Sequence, residues 1–343
     1  MQFPAVAMIT FAAAFASNVF FGAVGVSAQQ AVIDEGAAIT ADAINSARLA
    51  SSSADDAPLQ AGPERLPDPK MVRMQILLDR AGASPGVIDG FDGENVRKAI
   101  RAFEQMRGLP ADGIPDAELI AALDTGGPVV GHYAVVPEDI SSIVPPIPED
   151  YAEKAKRDFL GYQTVAEAIA ERFHMDIDLL EALNPGLGFR AGEVVVVAAF
   201  GPNRSGEVAS IEVDKRLRQV RAYDASGTLL TAYPATIGSD QTPTPTGTHT
   251  VQGVAIMPEY TYNPTLNFQQ GSNTEILTIP PGPNGPVGTI WIDLSQPTYG
   301  IHGTPEPSLI DKTASYGCVR LTNWDAEELA TMVKPGVTVT FLD

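Results

Sequence analysis

Apolar residues follow two rhythms along this 343-residue chain. Between residues 70 and 125 they recur at helical spacing: Val72, Ile76 and Leu77, then Val96, Ile100 and Phe103, then Leu119, Ile120 and Leu123. Gly86, Asp89-Gly90 and Asp112-Gly113 separate these runs as turn signals. The stretch therefore predicts three short helices around a small core. From 158 to 200, Val165, Ile169 and Phe173 share one helical face, and Leu179, Leu180 and Leu183 mark a second helix. Asn184-Pro185-Gly186 stops that helix, and Val194–Val197 reads as a strand. His174, just past the first of these helices, reads as structural.

From 207 to 343 the rhythm changes to short β-type runs: Ile211–Val213, Gln219–Tyr223, Leu229–Ala235, Thr248–Val254, Ile276–Ile279 and Thr289–Leu294. Asp325–Val333 is the one obvious helix there, and Thr338–Leu342 closes the chain as a strand. Two stretches lack either rhythm. Residues 29–69, rich in Ala, Ser, Asp and Pro, predict a flexible tether; a short helix around Ala37–Leu49 would find little to pack on. Residues 126–157, with Pro145, Pro146 and Pro148, predict a stiff, extended linker.

At the start, Met8–Val26 is mostly apolar and Val26-Ser27-Ala28 offers a small-residue cleavage site. Residues 1–28 thus predict a secretory signal, although Met1–Pro4 carries no Lys or Arg. An uncleaved anchor is the rival, disfavoured by Ser17, Asn18 and Gly22 within the run and by the lack of a basic stop signal after it. The net charge of −20 and the pI near 4.5 argue against nucleic-acid binding, which needs a basic surface. No glycine-rich strand-to-helix loop points to a nucleotide. With one cysteine and four histidines, no metal-ligand spacing is present, and no cofactor is expected.

The single cysteine acquires meaning from that export. Exported proteins pair cysteines as disulfides, whereas Cys318 has no partner in the chain. An unpaired thiol in an oxidising compartment is a liability unless it reacts. A free thiol has a pKa of about 8.5 and needs a base near neutral pH. His302 is the nearest candidate in sequence, with Gly303 after it and Gly317 before the cysteine. Glycines let backbone N–H groups approach a reacting oxygen. The plain alternative is a buried hydrophobic cysteine and an unrelated histidine.

The string around them decides the matter. His302-Gly303-Thr304 followed by Ser315-Tyr316-Gly317-Cys318-Val319-Arg320 resembles the signature of the YkuD-type (ErfK/YbiS-like) L,D-transpeptidases, cysteine enzymes of peptidoglycan. The resemblance extends over TPTPTGTHTV at 242–251, YNPTLNF at 262–268, PPGPNGPVGTIWIDLSQPTYGIHGT at 280–304 and LTNWDAEELA at 321–330. Tyr316 departs from it, standing where the family often has a second histidine. LLDRAGASPGVIDGFDGENVRKAIRAFEQMRGLPADG resembles a peptidoglycan-binding domain, and TVAEAIAERFHMDIDLLEALNPGLGFRAGEVVVV resembles a degenerate LysM unit, strand–helix–helix–strand.

The resemblance implies a multidomain α+β protein: a signal at 1–28, a tether at 29–69, a helical peptidoglycan-binding-like domain at 70–125, a linker at 126–157, a LysM-like βααβ domain at 158–200, and a mainly-β catalytic domain at 207–343, a β-sandwich or open barrel. It implies that Cys318 is the nucleophile, trapped by carbapenems, and His302 the base. The N–H groups of Cys318 and Gly317 would hold an oxyanion, and the Ser315 and Gly303 carbonyls would orient the imidazole. Arg320 would hold a substrate carboxylate or form a structural salt bridge. Tyr316, Thr304 and Tyr299 would line the cleft; if 315–319 is extended, Tyr316 shares a face with Cys318, and its alternative is to pack against the helix after Asp325. The expected partners are peptidoglycan stem peptides, glycan strands and an anchored envelope protein as acceptor, in the periplasm or at the wall. A carboxypeptidase or endopeptidase on the same scaffold, and a silent wall-binding protein, are the alternatives.

Overall fold

The computed structural model describes residues 39–51, 66–266 and 268–343. The segment read as a signal, 1–28, lies outside the described residues, as does most of the tether. Where the tether is described, helix α1 (Ala41–Ser46) is capped by the Thr40 hydroxyl. It does find a surface: Ile44 is fully buried and joins the main apolar cluster of the N-terminal half.

Three helices follow, α2 (Pro69–Arg80), α3 (Glu94–Arg107) and α4 (Ala117–Leu123). Asp68 caps α2, whose Pro69 supplies a preset φ at the first turn. Val72, Ile76, Val96, Ile100, Phe103 and Leu119 all face inward. Arg73 of α2 is buried but fully paired, holding both oxygens of Asp124 just past α4.

The stretch read as an extended linker is not one. It contains strand β1 (Val130–Ala134), helix α5 (Pro137–Ser141) and the single turn α6 (Tyr151–Lys154). After α7 (Val165–Arg172) and α8 (Ile177–Leu183), strand β2 (Val194–Ala198) returns to pair antiparallel with β1, Gly131 opposite Val197. The βααβ unit thus begins near 130, ahead of the expected 158, and residues 135–163 are inserted within it.

Nor are the two small units separate beads. Ile76 and Phe103 share one continuous buried cluster with Ile169, Phe173, Val195 and Val197. Backbone bonds cross between them: Ile88 N–H to the His174 carbonyl at 2.8 Å, and Asp176 N–H to the Ile88 carbonyl at 2.9 Å.

The last third is built on strands, as the alternation predicts. They are β3 (Ser210–Asp214), β4 (Gln219–Tyr223), β5 (Leu229–Pro234), β6 (Gly247–Ile256), β7 (Tyr260–Tyr262), β8 (Leu277–Ile279), β9 (Ile290–Leu294), β10 (Gly300–His302), β11 (Val319–Arg320) and β12 (Thr338–Leu342). Eight form one sheet in the order β11-β10-β9-β6-β12-β3-β4-β5. The sheet curls until its ends meet: Thr236, just past β5, exchanges two backbone bonds of 2.9 Å with Arg320 of β11. Val213, Val220, Val251, Ile292, Ile301 and Val339 fill the interior, together with Leu329 of α9 (Asn323–Met332). Strands β7 and β8 form a separate hairpin.

The N-terminal half reaches the sheet at its far end. Ala232 of β5 donates its N–H to the Gly82 carbonyl and accepts from the Ser84 N–H, both at 2.9 Å. His174 lies deeper in the junction, on Asp79 at 2.9 Å and stacked between Phe200 and Trp324.

Candidate active site

Strand pairing brings the histidine and the cysteine together. Strands β10 and β11 run parallel, with His302 in register with Arg320 and Ile301 with Val319. One step earlier, Gly300 lies beside Cys318. Side chains alternate faces along a strand, so His302, Arg320 and the cysteine preceding β11 share one face while Ile301 and Val319 enter the core. The Gly300 N–H bonds to the Cys318 sulfur, which also lies 3.7 Å from the Thr298 carbonyl.

His302 is buried. Its Nδ1 lies 2.7 Å from the Gly303 carbonyl. That carbonyl can only accept, so Nδ1 carries the proton and Nε2 keeps its lone pair. Trp291, opposite His302 in the β9–β10 register, stacks on the ring at 5.5 Å. Burial and the nearby Arg320 cation push the imidazole pKa down to about 3, against the Gly303 bond. Burial also pushes the Cys318 thiol up, opposed by Gly300 and Arg320. At neutral pH the thiol and the imidazole are thus both uncharged.

The turn entering β11 differs from an extended strand. Gly317 has φ +108°, and a Cβ there would sit 2.7 Å from the Tyr299 ring and 3.1 Å from the Pro243 carbonyl. Glycine is required both for the backbone angle and for the space. The Ser315 side chain is buried and turns back, donating to the Cys318 carbonyl at 2.5 Å and accepting the Gly317 N–H at 3.0 Å. Two expectations change as a result. The Gly317 N–H is already engaged, and the Ser315 carbonyl accepts from the Thr242 hydroxyl at 3.0 Å instead of orienting His302.

The other site residues divide. Tyr299 is half-buried beside Gly317. Thr304 is buried, with its N–H on Asn323 Oδ1 at 3.1 Å and its hydroxyl accepting from Glu306 N–H at 3.2 Å. It braces the turn after His302. Tyr316 is 54% exposed and stacks on Phe268 at 4.0 Å and 4°, not on α9. Arg320 makes no ion pair among the described residues, which leaves its cation without an acid and removes the salt-bridge alternative.

Sequence reasoning missed Asn323. The first residue of α9 accepts the N–H groups of Thr289 at 3.2 Å and Thr304 at 3.1 Å through Oδ1. Its Nδ2 donates to Glu171 of α7 at 2.9 Å, a carboxyl that burial pushes up to about 8. Gly303 is held so close that a Cβ would fall 2.2 Å from Asn323 Oδ1. The available signal was the buried, small-residue turn His302-Gly303-Thr304, which needs an acceptor from elsewhere for its N–H groups.

Comparison with known proteins adds to this geometry. Residues 209–341 match the YkuD model, an L,D-transpeptidase catalytic domain, and residues 67–123 match the model of a peptidoglycan binding domain. A Bacillus licheniformis protein named L,D-transpeptidase YkuD is 32% identical over 177 residues, which cover 51% of this chain and 91% of that protein. Its Bacillus subtilis counterpart is 30% identical over 175 residues, 50% of this chain and 90% of the relative. The L,D-transpeptidase YcfS of Escherichia coli is 28% identical over 188 residues, covering 52% and 58%.

Proposed function

Since the chain belongs to the YkuD family of L,D-transpeptidases, we propose that it rebuilds peptidoglycan stem peptides through a thioester on Cys318. The observation that carries this reading is the protonated Nδ1 of His302 on the Gly303 carbonyl, which frees Nε2 as a base on the face shared with the thiol. Nε2 takes the Sγ proton as sulfur attacks the carbonyl between the third residue, a diaminopimelate, and the following D-alanine. The Cys318 N–H, the donor left at the turn, holds the oxyanion, a contribution of about 3–4 kcal/mol in comparable sites. Collapse breaks the C–N bond, the imidazolium returns the proton to the departing amine, and D-alanine leaves. An amine of a second stem, or of an anchored envelope protein, then attacks the thioester; His302 takes its proton and the thiol is restored. Splitting one amide exchange into two steps is the gain of covalent catalysis.

Arg320, a cation without an acid partner, takes a stem carboxylate, and Tyr299 and Tyr316 line the cleft. The peptidoglycan-binding domain and the LysM-like βααβ unit bring the enzyme to the wall after export by residues 1–28. Among the described residues no helix is long and apolar enough to cross a membrane.

Incubation of the full chain with disaccharide-tetrapeptide, read by mass spectrometry, tests the reading. Cross-linked dimers are expected. Tripeptide monomers alone would make it a carboxypeptidase, and an unchanged substrate with folded protein would make it a silent wall binder. Tyr316→His is expected to leave carbapenem acylation within about threefold, since an imidazole still stacks on Phe268, and to change cross-linking more. Loss of acylation in a folded Tyr316→His protein would place that ring in the chemistry itself.

A further inference from the structure

Past α5, which Asp139 holds to Tyr133 and Arg172 of its own unit, residues 149–161 of the inserted segment lie on the catalytic unit. Leu160 N–H donates to the Pro281 carbonyl at 2.8 Å, and its carbonyl accepts from Asn284 N–H at 3.0 Å. Asn284 Nδ2 adds a bond of 3.0 Å to the Gly161 carbonyl. Gly282 has no room for a Cβ, which would fall 2.2 Å from the Leu160 oxygen. Earlier in the segment, Tyr151 N–H donates to Gln270 at 3.1 Å and Asn273 donates to Asp150 at 3.1 Å. Leu160, Tyr262 and Ile279 form a small buried cluster of their own beneath these contacts. The strap is thus fixed at both ends by bonds to the β7–β8 hairpin and the loops beside it.

Its ring Tyr151 sits among the aromatic residues that border the cysteine. The centroid lies 5.3 Å from Tyr262, 6.0 Å from Phe268 and 6.2 Å from Tyr260, all edge-on. Phe268 in turn carries Tyr316, two residues before Cys318. The Tyr151 hydroxyl lies within the field of Arg320 and Tyr316, and that of Tyr260 within the field of Cys318 and Arg320. One turn on, Lys154 lies 5.5 Å over the Tyr151 ring. Its ammonium lies in the field of the carboxylates of Glu306, just past the histidine turn, and Glu149. Like Arg320, Lys154 makes no ion pair with them among the described residues. An aromatic floor with two unspent cations suits an extended peptide that carries carboxylates.

We propose that this strap is a wall of the substrate cleft, with Tyr151 a specificity-determining residue that packs against the acidic stem peptide and Lys154 a cation for its carboxylates; the proposal rests on the function proposed above. The catalytic domain alone, residues 209–341, then lacks part of its own binding surface, which the βααβ unit supplies.

The test uses the full chain. Tyr151→Ala is expected to raise KM for disaccharide-tetrapeptide about tenfold while kcat moves less than about threefold, and Tyr151→Phe, which keeps the ring, stays within about twofold of the unaltered protein. Alkylation of Cys318 by iodoacetamide, a probe too small to need a wall, keeps its rate in both variants. Calorimetric titration of the tetrapeptide into Cys318→Ala protein, with and without Tyr151→Ala, reads the same contact without turnover. Equal affinity in the two, or an alkylation rate that changes along with KM, would reduce the strap to scaffolding and leave the proposed function standing. If the unaltered and Cys318→Ala proteins neither process nor bind the tetrapeptide, the proposed function fails and this inference with it.

Discussion

Cys318→Ala protein is expected to take up no carbapenem, while the unaltered chain gains one drug mass, and to lose cross-linking by a factor on the order of 10⁴ or more. The size of the loss follows from the site. No second thiol exists in the chain, and the hydroxyls that border the motif are already committed: Ser315 to the Cys318 carbonyl and Thr242 to the Ser315 carbonyl. Neither can stand in as nucleophile without dismantling the turn. The substitution should cost little stability, within about 1 kcal/mol, because among the described residues Sγ makes only weak bonds, to the Gly300 N–H and the Thr298 carbonyl. Intact mass and a thermal midpoint measured together check both halves. A drug adduct on the alanine variant would remove Cys318 from its role.

Removing the base should cost roughly 10²- to 10⁴-fold in acylation at pH 7. His302→Ala leaves a thiol that burial holds above its usual pKa, so almost none of it is ionised at neutrality. Rescue by alkali is expected, and it should need pH values beyond those of an exposed thiol. The imidazole pKa of about 3 has a second consequence. The base is ready throughout the working range, so acylation by the unaltered enzyme should show no step near pH 6.5. The same shift is linked to stability. In the unfolded chain His302 binds a proton below about 6.5; in the folded one it does so only near 3. Its contribution is therefore complete above pH 6.5 and lost as the pH falls from there towards 3. Denaturation midpoints across that window should fall more steeply for the unaltered protein than for His302→Ala. Parallel curves would mean that the imidazole is not shifted in the folded protein; an unchanged acylation rate at pH 7 would show that another group serves as base.

How far the sequence carried depended on whether a feature is local. The helices around Val72, Val96 and Leu119 and the strands of the last third were legible because burial on one face imposes a period. Cys318 and His302 were legible because each sits in a short motif whose glycines serve backbone geometry. Strand β1 was not: Val130–Ala134 contains Gly131 and His132, and what makes it a strand is a partner at 194–198. The shared core of the two N-terminal units was hidden for the same reason, since a helical stripe tells that Ile76 or Ile169 is buried but not against what. Ile44, expected to lack a surface, illustrates it. Within the site, the extended reading of 315–319 failed at Gly317, where a positive φ folds Ser315 back on its own loop. Asn323 and Tyr151 act across long separations, on Thr304 and on the rings around Phe268, and no local pattern announces either.

The backbone bonds between Gly82–Ser84 and Ala232 have a consequence for solubility. A strand at the border of a sheet offers a row of unspent donors and acceptors to any other chain, and proteins protect such borders to avoid aggregating. Here β5 holds that position, with β4 on one side, and the turn after α2 takes the free groups of Ala232 on the other. The catalytic sheet is therefore guarded against self-association by chain that lies outside it. A fragment trimmed to the matched catalytic residues would keep its chemistry-bearing strands but show this border to its neighbours.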